Sequence, residues 1–213
     1  MSRTGLLFGL VALVAALAIA FFAYTNFFAG EATGPLVSPT PATERDWATT
    51  MDELATKQGI VVSFSDRDLP SWKLTDGHKL ERFRISGTEQ VLARLSSSIP
   101  LDQNDRLSGL RVQLPLEWVQ TINGKTVEIG IIAKSSSSNG AADMSALYAT
   151  LQTGNSGWQT LQLPGEFRAL KFQFSIPEVP AGYTQEPVIV LRSDARGQDR
   201  GVELIGIYVR PVN

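Results

Sequence analysis

His78 is the only histidine and the chain has no cysteine. These two facts exclude multi-histidine metal centres, thiolate zinc sites and cysteine nucleophiles. Serine and aspartate are abundant enough to leave a Ser-His-Asp triad open on composition. Yet no Gly-x-Ser-x-Gly elbow occurs to present the nucleophile. Within Asp76-Gly77-His78 the histidine reads as a turn residue. Paired carboxylates could hydrolyse glycosides, but no spacing of Asp and Glu defines such a pair. The expectation is a protein that binds and does not catalyse.

Flat rings beside planar hydrogen-bonding groups are the stronger chemical signal, because that combination recognises sugars. Trp158 falls on the opposite parity to Leu161 and Leu163, and Tyr148 on the opposite parity to Leu147, Ala149 and Leu151. Both are expected to face solvent, near Gln152, Gln162 and Gln173. The competing reading for Trp158 is a bulge that turns it into the core. Trp72, Trp118 and Tyr183 form a second set, read as loop aromatics. Asp66, Asp68, Asp194 and Glu203 are hard oxygen ligands of the kind calcium takes, or simply solvated turn residues.

The elements that must position these groups are strands. Apolar residues recur with period two in Leu110, Val112 and Leu114, which alternate with Arg111 and Gln113, and in Val127, Ile129 and Ile131. The same holds for Phe83 and Ile85, for Leu170, Phe172, Phe174 and Ile176, and for Ile205, Ile207 and Val209, with Tyr208 and Arg210 pointing outward. Asn123-Gly124, Gly154-Asn155 and the stretch 194–197 supply turns. Gly87 to Ser98 reads as strand in preference to helix. Around nine short antiparallel strands without βαβ spacing predict a mainly β fold: an antiparallel two-sheet sandwich of jelly-roll type.

Ahead of the strands lie three segments of different character. Gly5 to Ala23 is apolar and uncharged. At about 1.5 Å per residue it makes roughly 28 Å of helix, the thickness of a hydrocarbon core. Residues 1–29 are therefore expected to be a transmembrane anchor in contact with the bilayer through residues 5–28, with a cleaved signal peptide as the competing reading. Arg3 precedes the run and no Lys or Arg follows it until Arg45, which places the N-terminus in the cytoplasm. Residues 30–42, with Pro35, Pro39 and Pro41, read as an extended linker. Thr43 and Asp46 resemble a capping box for an amphipathic helix over 44–58, packed on the following domain or on lipid. The exported domain is expected to span 43–213.

Lys and Arg number 19 against 21 Asp and Glu, for a net charge of −2. That balance leaves no excess of cations for neutralising phosphates, so nucleic acid is not an expected partner. No Asn-x-Ser/Thr acceptor occurs in the exported part. A bacterial inner membrane with a periplasmic domain fits this best.

The cadence Gly157-Trp158-Gln159-Thr160-Leu161-Gln162-Leu163-Pro164, then 170–174, Pro187 to Leu191 and Gly201 to Val209, resembles the galactose-binding-like jelly rolls, including many carbohydrate-binding modules. The likeness runs from about Gly59 to Asn213. It implies a sandwich whose last strand returns toward the domain's start, with a structural calcium between an early loop and the final strand. Asp66, Asp68, Asp194 and Glu203 are placed to hold that ion. No other cofactor is expected. Two functions follow as expectations: a membrane-anchored periplasmic glycan-binding protein, or an assembly subunit docking onto other inner-membrane subunits.

Overall fold

Among the described residues, period-two stretches form twelve strands paired antiparallel in two six-stranded sheets. The computed structural model describes residues 50, 53–55, 59–64, 72–84, 91–150, 154–178, 182 and 185–212. The first sheet contains β1 (Ile60–Ser63), β3 (His78–Arg84), β4 (Val91–Ser97), β6 (Thr126–Ser135), β10 (Arg168–Ser175) and β12 (Gly201–Pro211). Its order is β10-β6-β12-β4-β3, with β1 also on β12. The second contains β2 (Trp72–Leu74), β5 (Leu110–Gln113), β7 (Asp143–Thr150), β8 (Gly154–Asn155), β9 (Gln159–Gln162) and β11 (Val188–Arg192). Its order is β2-β5-β11-β7-β8, with β9 also on β7. The mainly β two-sheet expectation holds, and Val91–Ser97 is strand as read.

Between the sheets, Val127, Ile129, Ile131, Leu204, Ile207 and Val209 meet Leu110, Val112, Met144, Tyr148, Ile189 and Leu191. Each outer face carries a further apolar layer. On the first sheet Leu92, Ile132, Ile205 and Tyr208 pack with Ala55, Leu54 and Phe167. On the second, Leu147, Ala149, Val188 and Val190 pack with Leu107 and Trp158. β7, β11 and most of β12 are thus buried on both faces.

Three expectations need correction. Ile205 does not point into the main core, because a register shift between Leu204 and Gly206 turns it to the outer face. Phe83 is 38% exposed, lying on the edge strand β3. Trp118 is not in a loop: the helix α1 (Leu116–Ile122) carries Trp118, Val119 and Ile122 on its buried side and joins β5 to β6. Thr50 and residues 53–55 are helical, inside the predicted 44–58 span. The predicted anchor and linker, 1–42, lie outside the described residues. Among those that are described, no helix is long and apolar enough to cross a membrane.

One close approach fixes the outer layer of the first sheet. Val61, Tyr208, Gly130 and Lys171 are cross-strand neighbours in one row, and the Tyr208 ring lies over Gly130 where a Cβ would sit. The phenol donates to Glu128 at 3.0 Å, and Glu128 also holds Arg210 at 2.9 Å and Lys171 at 3.4 Å. Burial, and then the Glu128 charge, push the Tyr208 phenol well above its ordinary pKa. Gly130→Ala is expected to cost about 1–3 kcal/mol in urea melts by displacing this ring. An unchanged midpoint would mean the ring is free to move.

Candidate functional site

The outer face of the second sheet gathers side chains in rows set by register. Lys73 sits opposite Arg111, Arg111 opposite Val190, and Val190 opposite Leu147. Gln113 is the neighbour of Val188, which faces Ala149, while Arg192 faces Ser145 and Ser145 faces Thr160. Hydrogen-bonding groups therefore flank an apolar strip roofed by Leu107 and Trp158. Beside the strip is a concavity of about 350 Å³ lined by Lys73, Leu107, Arg111, Gln113, Gln185, Glu186 and Val188. Ligand pockets run from about 300 to 1,000 Å³, so this one admits a small group or one sugar of a chain. A second, largely apolar hollow of about 400 Å³ is lined by Ile60, Val61, Val62, Leu114 and Pro115 and shares Gln113 and Glu186 with the first.

The polar groups here lack partners. Among the described residues, Lys73, Arg111, Gln113, Gln185 and Glu186 make no side-chain hydrogen bond or ion pair. Buried atoms left without a partner concentrate on the same face: Arg111 Nε, Ser145 Oγ, Trp158 Nε1, Gln185 Oε1 and Arg192 Nε. Each unmade buried bond costs about 1–3 kcal/mol.

At one end of this face a polar network ties the sheets together. His78 Nδ1 lies 2.8 Å from Ser97 Oγ and Nε2 lies 3.1 Å from Ser108 Oγ. Arg192, 1% exposed, donates through Nη2 to the Ile99 carbonyl at 2.6 Å and through Nη1 to Ser108 Oγ at 3.4 Å. Ser97 Oγ also accepts from the Ser193 amide at 3.4 Å and the Ser193 hydroxyl at 3.2 Å, so the two serines and Arg192 enclose the imidazole in one hydrogen-bonded cluster. Burial, and then the Arg192 charge, lower the His78 pKa from 6.5 to about 4, Asp105 pulling the other way. Burial likewise lowers Arg192, against Asp105 and Asp194. At 7% exposure the imidazole lies inside the fold and, through Ser108, braces the loop from Ser98 to Gly109.

Of the described residues picked from sequence, Trp158 alone lies on this face, half-buried over Leu147, Ala149, Val188 and Val190 instead of freely exposed. Tyr148 was expected outside and is fully buried, because Met144, Ala146 and Tyr148 are the core-facing set of β7 and Leu147 and Ala149 point outward. Trp72 is a β2 strand residue turned toward the core, its ring centroid 4.4 Å from that of Phe64. Trp118 is 6% exposed and in the core. Gln173 is exposed on β10, in the other sheet, opposite Glu128. Tyr183, Asp66 and Asp68 lie outside the described residues. Asp194 accepts the Arg196 and Gln198 amides at 2.9 and 2.8 Å, which closes its own turn. Glu203 is engaged by Lys134 at 3.0 Å and by Ser136 Oγ at 3.0 Å. No group of three or more His, Cys, Asp or Glu gathers among the described residues.

Lys73, Gln185 and Glu186 were missed from the sequence, and Arg111 and Gln113 were read only as the polar halves of a strand. Their alternation with Leu110 and Val112 did mark an outward face. What the sequence does not display is that β2, β5 and β11, far apart along the chain, lie side by side.

No family model matches the chain, and no curated protein does. Among solved structures, the CBM22-1–CBM22-2 tandem domain from Paenibacillus barcinonensis Xyn10C is similar at TM-score 0.50 and 13% identity, over 72% of this chain and 46% of that one. The single CBM22-1 xylan-binding domain from the same protein aligns at TM-score 0.48 and 15% identity, over 72% of this chain and 94% of that one. At such identities the likeness is one of fold. The chain has the two-sheet β-sandwich architecture of a carbohydrate-binding module.

Proposed function

We propose that this protein is a non-catalytic glycan-binding protein whose binding surface is the outer face of the second sheet. The observation that carries the proposal is the set of unpartnered hydrogen-bonding side chains, Lys73, Arg111, Gln113, Gln185 and Glu186, beside an apolar strip. A sugar presents both hydroxyl edges and an apolar CH face, and this surface complements each. The shared sandwich of a carbohydrate-binding module supports the reading.

In this reading the protein is held at the bacterial inner membrane by residues 5–28 and displays its domain in the periplasm, where envelope polysaccharide is the available ligand. Affinity electrophoresis of the full chain in mild detergent, through gels containing envelope polysaccharides, tests it. Retardation by at least one polysaccharide is expected, and the double change Gln113→Ala, Gln185→Ala is expected to weaken it about tenfold through two lost neutral hydrogen bonds. A folded protein retained by none of them sinks the proposal. Mass spectrometry showing a mature N-terminus near Gly30 would separately overturn the anchor.

A further inference from the structure

Lys73 and Arg111 are direct cross-strand partners on the outer face of the second sheet. Residues so paired hold their Cβ atoms about 4.5–5.5 Å apart, where like charges oppose each other and destabilise the sheet. Proteins normally offset such a pair with a carboxylate. Among the described residues neither cation makes an ion pair or a side-chain hydrogen bond, although Glu186 lines the same concavity. The Arg111 Nε is buried without a partner. Among the described residues, then, no ion pair or side-chain hydrogen bond engages two adjacent charges that line a cavity about 350 Å³ in volume.

We infer that the glycan is anionic, and that Lys73 and Arg111 together hold a negatively charged substituent on one of its sugars. This rests on the glycan-binding reading above and narrows it. A guanidinium binds a carboxylate or a phosphate through two parallel N–H donors, while an ammonium adds a mobile point charge. That is the donor set the two strands present. Gln113 and Gln185 each offer an amide that both donates and accepts, suited to sugar hydroxyls, and Glu186, lining the same concavity, accepts from hydroxyls. The anion relieves the repulsion between the two cations, so its binding is favoured by a cost the free protein already bears.

The test is isothermal titration of the full chain in detergent with three probes: an oligogalacturonide, its fully methyl-esterified form, and a phosphorylated manno-oligosaccharide. Expected are tighter binding of at least one charged probe than of the ester by about ten- to hundredfold, loss of that preference in Arg111→Gln and Lys73→Gln, and partial recovery in Arg111→Lys. Which charged probe binds separates carboxylate from phosphate. Raising the salt is expected to erode the preference, because these charges are partly exposed. If the ester binds as well as both charged probes, or if Arg111→Gln leaves the preference intact with an unchanged melt, the inference is wrong and the protein binds neutral glycan. If none of the three binds while another neutral polysaccharide retards the protein, the inference again fails alone. If no glycan of any kind binds, the parent reading has failed too.

Discussion

A chain ending at Gly201 is expected to show no cooperative unfolding transition in urea. β12 is the centre of the first sheet, with β6 along one side and β4 and then β1 along the other. Its Val202, Leu204, Ile207 and Val209 are completely buried, so their loss strips one wall of the core and leaves three strands with unpaired edges. No ordinary stability margin of about 5–15 kcal/mol survives such a loss. The point substitution Ile207→Ala removes part of that wall and is expected to lower stability by about 2–5 kcal/mol through lost burial and the cavity left behind. If the truncated chain unfolds cooperatively at the same midpoint as the intact one, β12 is not the keystone this topology makes it.

Acid is expected to destabilise the protein through His78. In the unfolded chain the imidazole titrates near its ordinary 6.5, whereas in the folded protein it titrates at about 4. Above pH 6.5 both states are neutral and the group adds no slope. Between 6.5 and 4 the unfolded chain takes up a proton that the folded one refuses, so stability falls as pH falls. A depression from 6.5 to about 4 is worth about 3 kcal/mol once the lower value is reached, at 1.36 kcal/mol per unit. Urea midpoints measured from pH 7 to pH 4 for the native protein and for His78→Gln check this, because the carboxylates contribute to both profiles and cancel in the difference. The variant is expected to be less stable at pH 7, having disturbed Ser97 and Ser108, but to lose less on acidification. Parallel profiles would mean that the histidine is protonated in the fold.

Much of this architecture is legible in the sequence, since alternation over Leu110 to Leu114 and Leu170 to Ile176 marks true strands and Val91–Ser97 is strand as read. What failed was phase. Tyr148 was placed outside because Leu147 and Ala149 are apolar, but β7 is apolar on both faces, and a run buried on both sides holds no information about which side is inner. Ile205 failed for a different reason: a single extra residue in β12 reverses parity locally, and it shows only when β12 is set against β6. The helix Leu116–Ile122 is too short for a helical period to stand out beside neighbouring strands. The candidate site was less legible still. Lys73 and Arg111 look like ordinary solvated charges until β2 is seen to pair with β5, and the unpartnered atoms of Gln185 and Arg192 exist only as consequences of packing.

The place of β12 also sets the tempo of folding. Its residues pair with β1, where Ile207 meets Val62, and with β4, where Val202 meets Leu95, so contacts spanning most of the domain form only when the last strand arrives. Loop-closure entropy must be met before those contacts give anything back, which puts sandwiches of this kind among the slow folders, on the scale of milliseconds to seconds. During synthesis β1, β4 and β6 are all made before the strand that joins them. Until it follows, β4 and β6 present open hydrogen-bonding edges to any other chain nearby, and the nascent domain depends on being kept from its neighbours for that interval.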